Sequence, residues 1–267
     1  MPVLAHRIDG EGHPLLLLNG GLMTMLAWEP IASALATRFR VIRCDFRGQL
    51  MSLGLGSPPA TLSEHAADLA GLLDHLHVAQ AHVIGVSFGA LAGLQLAADH
   101  PPRIRSLVAA NATDRVDRDD RLAGAPARAA IRAASAGGDG RPVFDLVAAE
   151  TFSPAWLDAN RAAIDMRRAQ FTALPPAWYA GLDGLLGAIE DLDLRPHLGR
   201  IIAPTLVLGA EHDRVFPIDR SRALAAAIYG ATRRVIPGGS HGFVGEDPKG
   251  FVGAILPFLE AHEGKPS

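Results

Sequence analysis

The sequence predicts an α/β fold, with a mostly parallel central sheet flanked by helices and interrupted once by a helical insertion. Short apolar runs bounded by Gly, Pro, Asn and Asp alternate with stretches of helical spacing early in the chain and again near its end. Between residues 113 and 198 this alternation stops. Ala, Arg and Asp recur there at helical spacing, broken at Gly137, Gly138, Pro142, Pro154, Pro175 and Pro176.

In chain order, a first strand is expected near residues 3–8 and a second over 15–18, where four leucines run together. Helical spacing follows over 28–36, then a strand over 41–44, a helix over 63–76, a strand over 82–86, an Ala- and Leu-rich helix over 88–98 and a strand over 104–110. Strand and helix in alternation imply βαβ units wound right-handedly into one sheet. After the insertion come a strand over 204–209, a helix over 218–228, a strand over 233–236 and a closing helix over 251–262. Residues 1–112 and 199–267 therefore read as one α/β core and 113–198 as a helical insertion. The Ala-rich stretch 123–140 within it is expected to be a mobile linker.

An apolar share of 49% against 20% charged residues supplies a substantial core and excludes a disordered chain. The net charge of -3, with no long Lys/Arg run, excludes the footprint of a nucleic-acid or anionic-membrane binder and favours a small-molecule substrate. Cys44 is the only cysteine, so no intramolecular disulfide forms; it reads as a small buried hydrophobe. The N-terminus lacks the basic and apolar regions of a secretory signal, and no apolar run reaches membrane-spanning length, so a cytoplasmic location is expected. No cofactor or metal is expected, and a homodimer is left open.

The chemistry concentrates in loops that follow strands. Ser87 lies in G-x-S-x-G, between Gly85 and Gly89, on an apolar strand that runs straight into a helix. Such a turn holds the serine hydroxyl clear of the backbone, and the glycines avoid Cβ clashes. A serine is a weak nucleophile until a base takes its proton and an acid orients that base. His241 sits in a Gly-rich loop between a late strand and the last helix, whereas His75, His77 and His100 fall on or at the ends of helices. Asp213 follows the 204–209 strand, with Glu211, Asp219 and Asp114 as rivals for the orienting acid. An oxyanion also needs donors. The N–H of Phe88 is one, and the loop Asn19-Gly20-Gly21-Leu22 offers that of Gly21 or Leu22.

Through NGG at 19–21, DFRGQLMS at 45–52, GVSFG at 85–89, GAEHDRVFP at 209–217 and GGSHGF at 238–243, the chain resembles the α/β-hydrolase superfamily over essentially its whole length. Within it the chain looks most like the capped group of 3-oxoadipate enol-lactonases and allied carboxylic-ester hydrolases. The resemblance implies that 113–198 is a cap over the active site. Two departures stand out: Asn19-Gly20 where many relatives carry His-Gly, and Leu50 where the Asp45–Ser52 signature normally has a second glycine.

A serine hydrolase cleaving an ester or lactone of a small, largely apolar substrate through an acyl-enzyme is the leading expectation. Thioesterase, carbon–carbon bond hydrolase and cofactor-free perhydrolase follow, because one triad serves them all. A non-catalytic receptor for a small apolar ligand is the competitor from another class. Candidate substrate-binding residues are Met23, Trp28, Met51, Trp156, Trp178 and Phe243. Arg47, Arg115 and Arg214 are candidate partners for a substrate carboxylate, with surface ion pairs as their blander role.

Overall fold

The structure is a computed structural model and describes residues 2–263. Seven strands, β1 His6–Asp9, β2 His13–Leu18, β3 Phe39–Cys44, β4 Ala81–Val86, β5 Ile104–Ala110, β6 Thr205–Ala210 and β7 Thr232–Ile236, form one sheet in the order β1-β3-β2-β4-β5-β6-β7. Only β1 runs antiparallel, against β3; every other pairing is parallel.

The inner strands β2, β4 and β6 read as near-continuous apolar runs because both faces of the sheet are covered there, whereas the edge strands β1 and β7 carry charged and exposed positions. Pleating sends alternate side chains to opposite sides. Leu16, Leu18, Val83 and Leu107 enter one core with α2 (Leu62–His75, preceded in the chain by α1, Glu29–Leu35) and α3 (Phe88–Asp99). Leu15, Leu17, Ile84 and Val108 enter the other, against α1 and the closing helix. The expected 28–36 helix is in fact a 3-10 turn, Met25–Trp28, followed by α1, with Pro30 in the first turn of α1.

Between β5 and β6 lie α4 Arg118–Ser135, α5 Arg141–Thr151, α6 Pro154–Ala159, α7 Arg161–Thr172, α8 Pro176–Gly187 and α9 Arg195–Leu198. After β6 come α10 Ile218–Ala227, α11 Phe243–Glu246 and α12 Pro248–Glu260, which closes the second core. The linker expected over 123–140 is corrected: most of it is helix α4. Asp117 and Asp120 start α4 with a reciprocal capping box, and Arg220 of α10 binds both carboxylates. Arg128 and Arg132 of α4 reach Asp183 of α8. Ala-rich composition was compatible with a loose chain, but two ends tied by charge favour the helix that Ala itself prefers. Among the described residues no helix is long and apolar enough to cross a membrane.

One core position is sensitive to acid. His65 of α2 is fully buried between Phe46 and Phe88, with ring centroids 5.5 and 5.2 Å away, and neither ring nitrogen has a hydrogen-bond partner among the described residues. Burial, aided by the charge of Arg47, drives its pKa down to about 3. The folded state thus refuses a proton that the unfolded chain accepts below its ordinary value of about 6.5, so stability falls as pH drops through that value. The wild type should lose about 2 kcal/mol more between pH 7 and pH 5 than His65→Leu. Urea unfolding at the two pH values measures this, and equal losses in both proteins would refute it.

Candidate active site

The parallel strands bring their carboxyl ends to one rim, and four loops meet there. Ser87 follows β4 with φ 52° and ψ −121°, a left-handed backbone that a non-glycine residue holds only under constraint. Over residues 81–98 it alone escapes burial. The flanking glycines are required on steric grounds: a Cβ at Gly89 would stand 2.3 Å from the Leu18 carbonyl oxygen, and one at Gly85 would stand 2.3 Å from that of Gly89.

His241 and Asp213 form a buried pair. His241 Nδ1 lies 2.9 and 2.8 Å from the two Asp213 carboxylate oxygens, whose side chain is 1% exposed. Asp213 Oδ1 also accepts from the N–H groups of Val215 and Phe216, at 2.9 and 2.8 Å. Three donors thus satisfy a carboxylate that burial alone would penalise. In a neutral ring the carboxylate selects the tautomer with hydrogen on Nδ1, leaving Nε2 free to take a proton.

The rival acids have other work. Glu211 accepts from Gly238 N–H at 2.8 Å and joins the loops of Asp213 and His241, which are also linked by His212 N–H to the Gly239 carbonyl. Asp114 pairs with Arg115, and Asp219 with Arg222. The three arginines considered for a substrate carboxylate are likewise engaged: Arg47 forks onto buried Asp68, Arg115 binds Asp114, and Arg214 donates to the Ala149 and Phe152 carbonyls.

Asn111, unremarked in the sequence, ties the turn of Ser87 to the loop of His241. It follows β5 with φ 50°. Ser87 N–H donates to Ala110, its neighbour, at 2.9 Å, while the Asn111 side chain donates to the His241 carbonyl. Ser87 and His241 are therefore anchored to adjacent residues at the end of one strand.

Beneath the loop at 19–22 lies a buried polar network. Asn19 Nδ2 donates to the Cys44 carbonyl, Asp45 and Gln49, each at 2.9 Å, and Asn19 Oδ1 accepts from Trp28 Nε1 at 2.8 Å. Asp45 is pushed up by burial and restrained by the N–H groups of Met51 and Met25 and by Asn19. Burial raises the neighbouring Cys44 thiol, which keeps it protonated and inert. The N–H groups of Gly21 and Leu22 have no acceptor among the described residues, and Phe88 opens α3, where an N–H has no intrahelical partner. Gly20 adjoins the Ser87 turn, the elbow between β4 and α3, since a Cβ there would stand 3.6 Å from the Val86 carbonyl oxygen.

The substrate-binding expectations divide. Trp28 and Phe243 are corrected to core positions, both buried against Phe251 at ring distances of 6.3 and 5.7 Å, because that layer between sheet and α12 must be filled. Met51 is corrected too: it is 59% exposed in a surface groove with Val3, Met25 and Leu26, since its backbone N–H is fixed on Asp45 Oδ2. Met23 bends back so that its sulfur meets the Gly20 N–H. Trp178 is buried in the insertion's own core, against which Leu22 and Leu50 pack, so Leu50 fills space rather than leaving the loop bare. Trp156 stacks on Phe152 at 4.8 Å, and Phe152 in turn covers Gly242 beside His241.

The insertion is stitched to the loops of His241 and Asp213 at residues 149–153. Gly242 N–H donates to the Thr151 carbonyl at 2.7 Å, and Glu246 accepts from Ser240 on one side and from Ser153 N–H and Oγ on the other. Arg214, next to Asp213, completes the seam.

A family model described as alpha/beta hydrolase fold matches residues 13–248. This chain belongs to the alpha/beta hydrolase family. The hydrolase is 31% identical over 272 residues to a protein of Caulobacter sp. (strain K31) named "Putative carbamate hydrolase RutD", covering 96% of this chain and 95% of that one. It is similar to a hydrolase structure from Pseudomonas aeruginosa PA01, with a TM-score of 0.85, 33% identity and coverage of 96% and 94%. It is also similar to the enol-lactonase from Burkholderia xenovorans LB400, with a TM-score of 0.83, 29% identity and 96% of both chains.

Proposed function

We propose that this hydrolase cleaves a carboxylic ester or lactone of a small, largely apolar substrate through an acyl-enzyme on Ser87. The observation that carries the reading is the buried His241–Asp213 pair anchored, through Asn111, to the strand end that also holds Ser87. Ser87 Oγ attacks the carbonyl carbon while His241 Nε2 takes its proton, and Asp213 stabilises the imidazolium. The resulting oxyanion faces the N–H of Phe88 and those of Gly21 and Leu22. Collapse expels the alkoxide, which takes the proton back from His241, and water then repeats the cycle to free the acid and Ser87.

The names of the relatives favour a second substrate class, carbamates, whose carbonyl the same residues would attack. The residues over 113–198 act in this reading as a cap, with the partly buried Leu22 and Leu50 packed against its core as an apolar wall. The decisive experiment is to mix the enzyme with p-nitrophenyl acetate, quench, and map the acetyl group by peptide mass spectrometry. An acetyl on Ser87, absent from Ser87→Ala, is expected. Equal release of p-nitrophenol by both proteins with no label at Ser87 would overturn the reading.

A further inference from the structure

We infer that Gln49 is a positioning residue of the oxyanion hole, aiming the N–H groups of Gly21 and Leu22 by holding the carbonyls behind them. The inference rests on the serine-hydrolase reading above and adds a residue that neither the motif nor the fold family's name points to.

Gln49 is 1% exposed. Its amide orientation is fixed by partners that cannot be reversed: Oε1 accepts from Phe46 N–H at 3.0 Å, and Nε2 donates to the Gly20 carbonyl at 3.0 Å and, longer, to that of Gly21 at 3.4 Å. A trans peptide points its C=O and the following N–H in opposite directions. Drawing the Gly20 carbonyl towards Gln49 therefore turns Gly21 N–H away from it, and drawing the Gly21 carbonyl does the same for Leu22 N–H. Both N–H groups are without an acceptor among the described residues. Two consecutive glycines have wide conformational freedom; within the loop Met23 N–H also donates to the Gly20 carbonyl at 3.0 Å, and Gln49 is the side chain that reaches both the Gly20 and the Gly21 carbonyl. Gln49 is itself anchored, through Asn19 Nδ2 at 2.9 Å and its own N–H on the Phe46 carbonyl at 2.8 Å. Asn19 and Gln49 thus act as a buried amide pair, the first held by Trp28 and the second holding the loop.

Gln49→Glu isolates the donation, because a carboxylate keeps the acceptor towards Phe46 and Asn19 but sets an oxygen against the Gly20 and Gly21 carbonyls. Its kcat on p-nitrophenyl acetate should fall about 10- to 100-fold with KM little changed, since only the transition state uses the hole. Affinity for an aryl trifluoromethyl ketone should fall by a similar factor; its hemiketal forms when Ser87 Oγ adds to the carbonyl and the proton passes to His241, leaving the oxyanion in the hole. Protonation turns Glu into a donor again, so the ratio of variant to wild-type kcat should rise as pH falls from 8 to 5. A scaffolding role alone would not give that rise. A kcat within about two-fold of wild type, or a ratio flat with pH, overturns the inference. If Gln49→Glu does not fold, Gln49→Met carries the test, and unchanged ketone affinity in it is equally fatal. Wild type without Ser87-dependent turnover would overturn the underlying reading; Ser87-dependent turnover with indifferent Gln49 variants would overturn this inference alone.

Discussion

Asp213→Asn should lower kcat about 10⁴-fold while leaving the fold intact, and the backbone explains why the substitution cannot be accommodated. Val215 and Phe216 both donate to Asp213 Oδ1. They will hold the asparagine carbonyl oxygen in that position, which leaves the new NH2 at the place of Oδ2, 2.8 Å from His241 Nδ1. A donor there obliges Nδ1 to accept, so the ring carries its hydrogen on Nε2 and has no lone pair for the Ser87 proton. Steady-state kinetics beside a thermal melt separates this from misfolding. Turnover within ten-fold of wild type would mean that another acid orients His241.

The second large effect is on folding. Gly89→Ala should destabilise the protein by roughly 4 kcal/mol or more, because the added methyl would meet the Leu18 carbonyl oxygen at 2.3 Å and that of Asn19 at 2.6 Å. Both obstacles are backbone, fixed between β2 and the buried amide network, and cannot rotate aside. Gly54→Ala is the matched control: nothing lies within 4 Å of its Cβ position, so its cost should stay within about 0.5 kcal/mol. Chemical denaturation of the three proteins decides the point, and a Gly89→Ala protein as stable as Gly54→Ala would show that the elbow tolerates a side chain.

What the sequence made legible was local. The loops that carry Ser87, Asp213 and Gly21 each follow an apolar run and that of His241 follows the short strand β7, and the parallel sheet then gathers such loops at one rim. Strand 104–110 was readable to the residue because Pro101-Pro102 and Asn111 bound its apolar run. What stayed hidden depends on contacts between distant segments. Asn111 and Gln49 look like ordinary loop residues until β5 and β3 bring them beside His241 and Gly20. The Leu50 departure drew notice as a missing glycine, while its neighbour Gln49 holds the loop. Trp28 and Phe243 were read as pocket residues because aromaticity announces burial without saying against what. The 123–140 stretch was misread for the converse reason, since Arg220, which binds the start of its helix, lies on α10.

The seam at residues 149–153 gives the insertion unequal ends. There, directional hydrogen bonds to Gly242, Glu246 and Arg214 tie the insertion to the loops of His241 and Asp213. Over the loop at residues 19–22, α8 presents methyl groups, Leu182 and Leu186 lying 3.8 and 4.0 Å from the Cβ position of Gly21. Apolar contacts have no preferred direction and tolerate sliding, whereas a row of hydrogen bonds breaks as a unit. The insertion is for that reason held by directional bonds beside His241 and by non-directional contacts beside the loop at residues 19–22.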